Sequence, residues 1–333
     1  MKAIVYHDYG SPDVLRYEEI RMPVPKDNEV LIKVLATSVN PLDWHFMRGE
    51  PYPLRLIAGL LKPKNTQLGV DVAGWVEAVG AKVTQFKPGD EVFGTCRGAF
   101  AEYVCAPEST LIVKPNNVSF EQGASAPIAA FTALQALRRG GVNGSGEIQA
   151  RKAVLINGAS GGVGTFAVQI AKCFGADVTG VCSIRNIQLV RSIGADRVID
   201  YGSTDYTKEA TQSTKGYDAI VDCIGNHPLS ANRRVLTLKG VYIPVGARAG
   251  RWMMSVMARA ITSLALSKFG SQTLVPQFLA KSNKEDLTAL AELMTSGKIK
   301  PVIDKRYKLS EAPDAIRYLE EGHARGKVII SMA

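Results

Sequence analysis

The stretch that decides the fold is Ala153-Val154-Leu155-Ile156-Asn157-Gly158-Ala159-Ser160-Gly161-Gly162-Val163-Gly164. Four apolar residues in a row predict a buried strand, the glycines a tight turn, and the residues beyond them a helix. The helix rests on spacing: Val163, Phe166, Ala167, Ile170, Ala171 and Phe174 recur at i, i+3, i+4, i+7, i+8 and i+11. Strand, glycine turn and helix in this order are the context of a dinucleotide-binding fingerprint. Lacking Cβ atoms, the turn lets a pyrophosphate approach the backbone, and the N–H groups and dipole of the helix start favour its charge. Ser160, Gly161, Gly162 and Val163 are therefore cofactor-binding candidates, with Ala159 standing where the fingerprint usually has its first glycine. A glycine-rich turn without a ligand is the plainer alternative.

Downstream, Val178–Cys182, Arg197–Ile199, Ala219–Val221 and Val241–Ile243 read as further strands with helix-length segments between them. That alternation predicts a doubly wound parallel sheet. The end of its second strand selects the nucleotide: a carboxylate there holds the ribose of NAD, a basic residue the 2′-phosphate of NADP. After Val181 the chain reads Cys182-Ser183-Ile184-Arg185-Asn186, and Asp177 sits at the wrong end of the strand. Ser183, Arg185 and Asn186 predict NADPH, the guanidinium fork matching a phosphate. A surface arginine opening a helix is the alternative for Arg185. Ile224-Gly225 and Val245-Gly246-Ala247 follow their strands at the carboxyl edge, where such a sheet places its ligand, so Ile224, Val245, Gly246 and Ala247 join the candidates.

Upstream the texture differs. Lys2–Tyr6, Val30–Val34, Gly74–Val79 and the strand fed by the Pro88-Gly89 turn are short and separated by Gly and Pro. After the doubly wound part come a helix over Lys284–Ser296 and a closing strand, Lys327–Ile330. We place domains at 1–122, 123–294 and 295–333, the last returning to the first. The 333 residues, 46% hydrophobic and 21% charged, suit two globular domains and exclude a disordered or fibrous chain. No run of eighteen apolar residues occurs, so no membrane insertion is expected, and the N-terminus reads as a strand rather than a signal peptide. Five scattered cysteines without a C-x-x-C suit reduced thiols in a cytoplasm. The net charge of +9 is spread along the chain, which fits a phosphate-bearing small ligand or a soluble surface better than nucleic acid.

Further motifs occur in a fixed order: Asn40-Pro41-Leu42-Asp43, Leu68-Gly69-Val70-Asp71-Val72-Ala73-Gly74, Lys87-Pro88-Gly89-Asp90-Glu91-Val92, Gly98-Ala99-Phe100-Ala101-Glu102-Tyr103, Ala126-Pro127 and Phe131-Thr132-Ala133. With the glycine turn, they make the chain resemble the medium-chain dehydrogenase/reductases over nearly its whole length. Ala36–Trp44 and Gly322–Lys327 make it similar to the zinc-independent quinone oxidoreductase branch, near plant alkenal/one oxidoreductases and chloroplast envelope quinone oxidoreductase homologues. The resemblance implies a GroES-like β-rich catalytic domain beside a Rossmann domain. Where zinc members of that superfamily carry metal ligands, this chain has Asn40, Val70-Asp71 and Ile128, a poor set for zinc, so no metal is expected.

The implied reaction is hydride transfer from NADPH to a quinone or to the C=C of an α,β-unsaturated carbonyl. An enoyl-thioester reductase and a non-catalytic NADPH-binding protein stay open as alternatives. The resemblance places Asn40, Pro41 and Asp43 beside the nicotinamide with Thr132 nearby, Tyr201 near the adenosine phosphates, and Lys327 near the cofactor. A helix or turn cap is the alternative for Asp43. His45 stands where plant relatives have a lysine, and either donates to a substrate carbonyl or faces solvent without a role. Tyr52 either polarises that carbonyl or is a buried aromatic with its hydroxyl satisfied. Arg251–Met257, rich in methionine, reads as a lid over an apolar acceptor, a core or dimer-contact helix, or, with Arg259 and Lys268, a membrane contact. A homodimer through Ser271–Val275 is the family expectation.

Overall fold

Eleven residues, Glu29–Val39, form the longest strand, and three others hydrogen-bond to it. In this computed structural model, residues 1–143, 152–208, 216–246, 271–276 and 278–332 are described. The chain divides into two compact units, Met1–Phe131 with Ser282–Ala333, and Thr132–Lys281.

The first unit begins with an antiparallel pair, β1 (Lys2–Val5) and β2 (Arg16–Glu19). Its main sheet contains β3 (Glu29–Val39), β4 (Asp71–Val79), β5 (Glu91–Thr95), β6 (Tyr103–Pro107) and β7 (Leu111–Val113). The C-terminal segment adds β14 (Ile303–Lys308) and β15 (Lys327–Ser331), numbered in chain order. The strand order is β14-β15-β3-β4-β5-β7, with β6 pairing β3 as well. Alternation along β3 buries Val30, Ile32 and Val34 with Val72, Val76, Val92 and Leu111 in one core. A second core gathers Ile4, Tyr6, Phe100, Ile316, Val328 and Ile330 from both ends of the chain. The helix Ala312–Glu320 packs on that core, and its Glu320 accepts a bidentate pair from Arg48 at 2.6 and 2.9 Å.

The second unit holds β8 (Ala153–Asn157), β9 (Asp177–Cys182), β10 (Arg197–Asp200), β11 (Tyr217–Asp222), β12 (Leu236–Pro244) and β13 (Thr273–Leu274). All pair in parallel, in the order β10-β9-β8-β11-β12-β13. Both faces of such a sheet are covered, so Leu155, Val181, Ile199, Ile220, Tyr242 and Leu274 are all core residues. The order reverses between β8 and β11, which makes the carboxyl ends of those two strands the topological switch point. The expected self-association residues Ser271–Val275 include β13, the last strand at one edge. Ala247 and the methionine-rich Arg251–Met257, with Arg259 and Lys268, lie outside the described residues.

The units divide later than 122/123 and earlier than 294/295. Helix Phe120–Ser125 packs on β3, β4 and β5, and helix Lys284–Thr295 packs on β7, which carries both into the first unit. Several strands outrun their sequence expectation, β3 and β12 furthest. β3 continues past Val34 through Thr37 and Ser38 because neighbours satisfy both hydroxyls. β12 starts at Leu236, ahead of Val241, where Gly240 lets it approach the Tyr217 carbonyl.

Candidate functional site

In the first unit, polar side chains from four chain segments meet in a buried cluster. Asn40 follows β3 directly and is the N-cap of the helix Pro41–Arg48. Its backbone N–H donates to the Asp43 carboxylate at 2.7 Å, and the other Asp43 oxygen accepts from the Gly69 amide at 2.9 Å. Asp43 thus serves as a cap. Burial, with Asp71 adding to it, pushes its carboxyl up to about 7 against the pull of the two amides and Lys327. Asn40 turns its side chain the other way: Nδ2 donates to Asp71 Oδ2 at 2.8 Å, and Oδ1 accepts from Lys327 Nζ at 2.5 Å. Asp71 is fully buried, accepting also from Ser38 Oγ at 2.5 Å and from the Ile128 amide at 3.0 Å. The Lys327 ammonium, 3.6 Å from Asp71 Oδ2, is itself buried, and that burial pulls its pKa down.

Of Asn40, Val70-Asp71 and Ile128, the positions that the resemblance aligns with metal ligands, the fold brings Asn40, Asp71 and Ile128 together. The donor set does not suit zinc. It offers one carboxylate and one amide oxygen, both already hydrogen-bonded, beside a lysine ammonium, while Ile128 contributes only its backbone N–H. Among the described residues no group of three or more His, Cys, Asp or Glu could hold a metal ion.

His45 stacks on Trp44 with ring centroids 3.7 Å apart, and its Nδ1 lies 2.9 Å from the Glu50 carbonyl oxygen. Burial lowers its pKa and favours the neutral ring. With the proton on Nδ1 for that carbonyl, Nε2 is an acceptor, not the donor that polarising a substrate carbonyl requires. Tyr52 is exposed, with the Arg55 guanidinium 4.9 Å from its ring centre. It is not the buried aromatic of the sequence alternative.

In the second unit the glycine turn opens at Gly158, and the helix Gly162–Cys173 starts directly after Gly161. A Cβ on Gly164 would lie 2.1 Å from the Gly158 carbonyl oxygen, so only glycine lets the helix pack this closely on the turn. A Cβ on Gly161 would meet nothing nearer than 3.5 Å; its side of the turn is an open cradle. Asn186 lies beside it, donating from Nδ2 to Ser160 Oγ at 3.0 Å. The other Asn186 amide atom, Oδ1, is buried without a hydrogen-bond partner. A buried acceptor lacking a donor next to an open glycine cradle fits a ligand that brings a hydroxyl or amine. Ser183 is half-buried and Arg185 exposed on the same β9 exit. The Tyr201 N–H donates to the Cys182 carbonyl at 3.1 Å, which brings the exposed Tyr201 alongside.

Across the switch point, one residue that sequence reasoning did not single out holds the remaining candidates. Asp222 Oδ1 accepts from the amides of Ile224 and Gly225 at 3.0 and 2.8 Å and from Asn157 Nδ2 at 2.8 Å. Its Oδ2 accepts from the Tyr242 hydroxyl at 2.7 Å, and its carbonyl from the amides of Val245 and Gly246. The signal was available: a carboxylate closing the apolar run Ala219-Ile220-Val221 needs internal partners. Asp71, between Val70 and Val72, carried the same signal, as did Lys327 before Val328-Ile329-Ile330.

A glycine-turn parallel sheet in one chain with this mostly antiparallel unit defines a dinucleotide-dependent oxidoreductase. Residues 26–116 match the alcohol dehydrogenase GroES-like domain, and residues 193–330 match the zinc-binding dehydrogenase family. The chain belongs to the medium-chain dehydrogenase/reductase superfamily and is an NAD(P)H-dependent oxidoreductase. It is 36% identical to a chloroplast envelope quinone oxidoreductase homolog of Arabidopsis thaliana, over 99% of this chain and 98% of that one. An NADPH-dependent alkenal/one oxidoreductase of the same plant is 34% identical, over 99% of this chain and 79% of the relative. The solved quinone oxidoreductase from Coxiella burnetii superposes with a TM-score of 0.85 at 32% identity, covering 100% of this chain and 99% of that one.

Three outcomes follow from this geometry. Gly164→Ala lowers the stability by at least about 2 kcal/mol through overpacking, whereas Gly161→Ala leaves the melting temperature unchanged and weakens NAD(P)H binding. Thermal melts and calorimetric titration separate the two. Lys327→Met strands Asp71 and costs roughly 3–5 kcal/mol, while Asp71→Asn/Lys327→Met recovers part of the loss, read from urea midpoints. Because Asp43 holds its proton up to about 7 in the fold but ionises near 3.8 when unfolded, its contribution is full below the lower value and fades as pH rises through the higher. The stability margin of the parent protein over Asp43→Asn is therefore larger at pH 5 than at pH 8, measured by urea unfolding at both.

Proposed function

We propose that this chain is a zinc-independent, NADPH-dependent reductase of quinones or of the C=C of α,β-unsaturated carbonyls. The observation that carries the reading is the buried cluster in which the Lys327 ammonium sits against Asn40 and Asp71. A divalent cation there would compete with a fixed positive charge for saturated oxygens. Alcohol oxidation gains most from a metal that steadies an alkoxide, so an acceptor already activated by conjugation suits this site better. When bound, NADPH supplies the hydride, turning a quinone into a hydroquinone or an enone into a saturated carbonyl, with the remaining proton taken from water.

The chain's own residues then have binding and orienting work. Ser160, Gly161, Gly162 and Val163 receive the pyrophosphate at the helix start. Asn186 Oδ1 accepts from a cofactor hydroxyl, and Ser183 and Arg185 hold the 2′-phosphate, with Tyr201 beside the adenosine end. Asp222 fixes the Ile224 and Val245–Gly246 turns at the carboxyl edge of the sheet. In the first unit, Lys327 and Asp71 hold Asn40, and Asp43 holds the start of the Pro41–Arg48 helix, so that Asn40 and Pro41 present a fixed backbone to the acceptor side. Thr132 belongs to the cofactor-binding set by resemblance. The named relatives support the acceptor class: quinone oxidoreductases and an alkenal/one oxidoreductase.

The test follows NADPH and NADH oxidation against quinones, alkenals and enoyl thioesters, with and without a chelator. Quinones or enones are expected to turn over fastest, the chelator to change nothing, and Arg185→Ala to raise the NADPH KM at least tenfold more than the NADH KM. Preferential turnover of thioesters, loss of activity with the chelator, or equal KM changes for both cofactors would each overturn the corresponding part.

A further inference from the structure

After the helix Pro41–Arg48 the chain makes a short protrusion that the catalytic reading leaves unused at its tip. It comprises a turn of 3-10 helix, Tyr52–Leu54, a turn of α-helix, Arg55–Ala58, and a loop to Lys64. Leu56, Ile57, Leu60 and Leu61 project from it, each between 67% and 85% exposed. Single exposed aliphatics are ordinary on protein surfaces, but four within six residues form a patch that costs solvation unless something covers it.

Hydrogen bonds tie down the base of the protrusion. The Gly59 amide donates to the Arg55 carbonyl at 2.8 Å, and the Lys64 amide to the Ala58 carbonyl at 2.7 Å. The Tyr9 hydroxyl donates to the Gly59 carbonyl at 2.6 Å, and Arg55 Nε to the Gly49 carbonyl at 3.0 Å. Gly59 has φ +124, and a Cβ there would lie 2.0 Å from the Lys62 carbonyl oxygen, so this turn is built for glycine. A segment this well anchored holds its aliphatic side chains outward at little further entropic cost on binding.

Charge decides what covers it. Arg55, Lys62 and Lys64 flank the aliphatics, and no acidic residue occurs between Glu50 and Asp71. Lys62, exposed, pairs with Asp8 at 3.1 Å, and Lys64 is exposed beside it. A second copy docking on the same face by a two-fold axis would bring these cations against one another. A surface of lipid phosphates over acyl chains complements both halves at once: the leucines and isoleucine enter the apolar layer, and the lysines meet the anionic headgroups. No helix among the described residues is long and apolar enough to cross a membrane, so such an attachment is peripheral.

We propose that the Leu56–Lys64 protrusion attaches the protein peripherally to anionic lipid bilayers. The full chain is sedimented with sucrose-loaded vesicles of phosphatidylcholine alone and of phosphatidylcholine with 30 mol% phosphatidylglycerol, a composition chosen for its ~30% anionic charge. Binding at least tenfold tighter to the anionic vesicles is expected, weakening as salt is raised. Leu60→Asp/Leu61→Asp, and independently Leu56→Ser/Ile57→Ser, reduce it at least tenfold with unchanged melting temperatures. Lys64→Glu weakens the anionic preference. The proposal is overturned if the parent protein sediments with neither vesicle, or if both double variants fold and sediment like the parent. It is equally overturned if the patch instead holds two copies together, seen in light scattering as a dimer that both double variants convert to monomer while vesicle binding stays absent. Lipid binding is read without substrate, so its failure leaves the reductase reading intact, and failure of that reading leaves this one standing.

Discussion

A lysine ammonium closed off from water must find oxygen atoms, and the first unit is arranged around that requirement. Lys327 finds them on Asn40 and Asp71. Asp71 takes two more donors, Ser38 Oγ and the Ile128 amide, so the end of β3, the start of β4, the start of the helix Pro127–Arg139 and the start of β15 are tied at one point. Burying such charges is expensive, and a hydrophobic replacement is often as stable. What the pair provides is position: it holds the Asn40 side chain in place, while the Asp43 carboxylate accepts from the Asn40 amide at the helix start. The backbone entering that helix is thereby held from both sides.

The second unit meets a similar demand with a neutral network around one carboxylate. Asp222 gathers amides from two loops, an asparagine and a tyrosine hydroxyl at the point where the strand order reverses. Its lone pairs are spent on protein donors, which makes it a scaffold rather than a ligand-facing acid. Asn186, by contrast, keeps one oxygen buried and unmatched next to the glycine cradle. Satisfaction at Asp222 and its lack at Asn186 set the two side chains apart along one sheet edge.

Periodicity made the architecture legible. The apolar runs of β8, β9 and β11, the glycine turn and the helix spacing after Val163 place the parallel sheet, and the shape of Gly161 and Gly164 surroundings follows from why glycines stand there. What patterning does not carry is partnership between residues far apart in sequence. Thr37 and Ser38 fall beyond the expected strand until their hydroxyls meet Asp71, and the sequence pattern does not tell that Lys327, placed near the cofactor by resemblance, meets Asn40. His45 shows the same limit from the other side. Its residue type suggested a hydrogen-bond donor to substrate, but the nearby Glu50 carbonyl claims the ring.

The tie at Lys327 also sets an order of events as the chain is made. Asn40, Asp71 and Ile128 leave the ribosome long before Lys327, and β15 must slot between β14 and β3 rather than join an edge. The second unit is continuous in sequence, from Thr132 to Lys281, and needs nothing from the last fifty or so residues to pair its strands. All six strands of the second unit's sheet come from one stretch of chain, whereas the first unit's sheet draws strands from both of its stretches. Strands from residues 303–331 thus complete a sheet whose other strands lie within the first 113 residues.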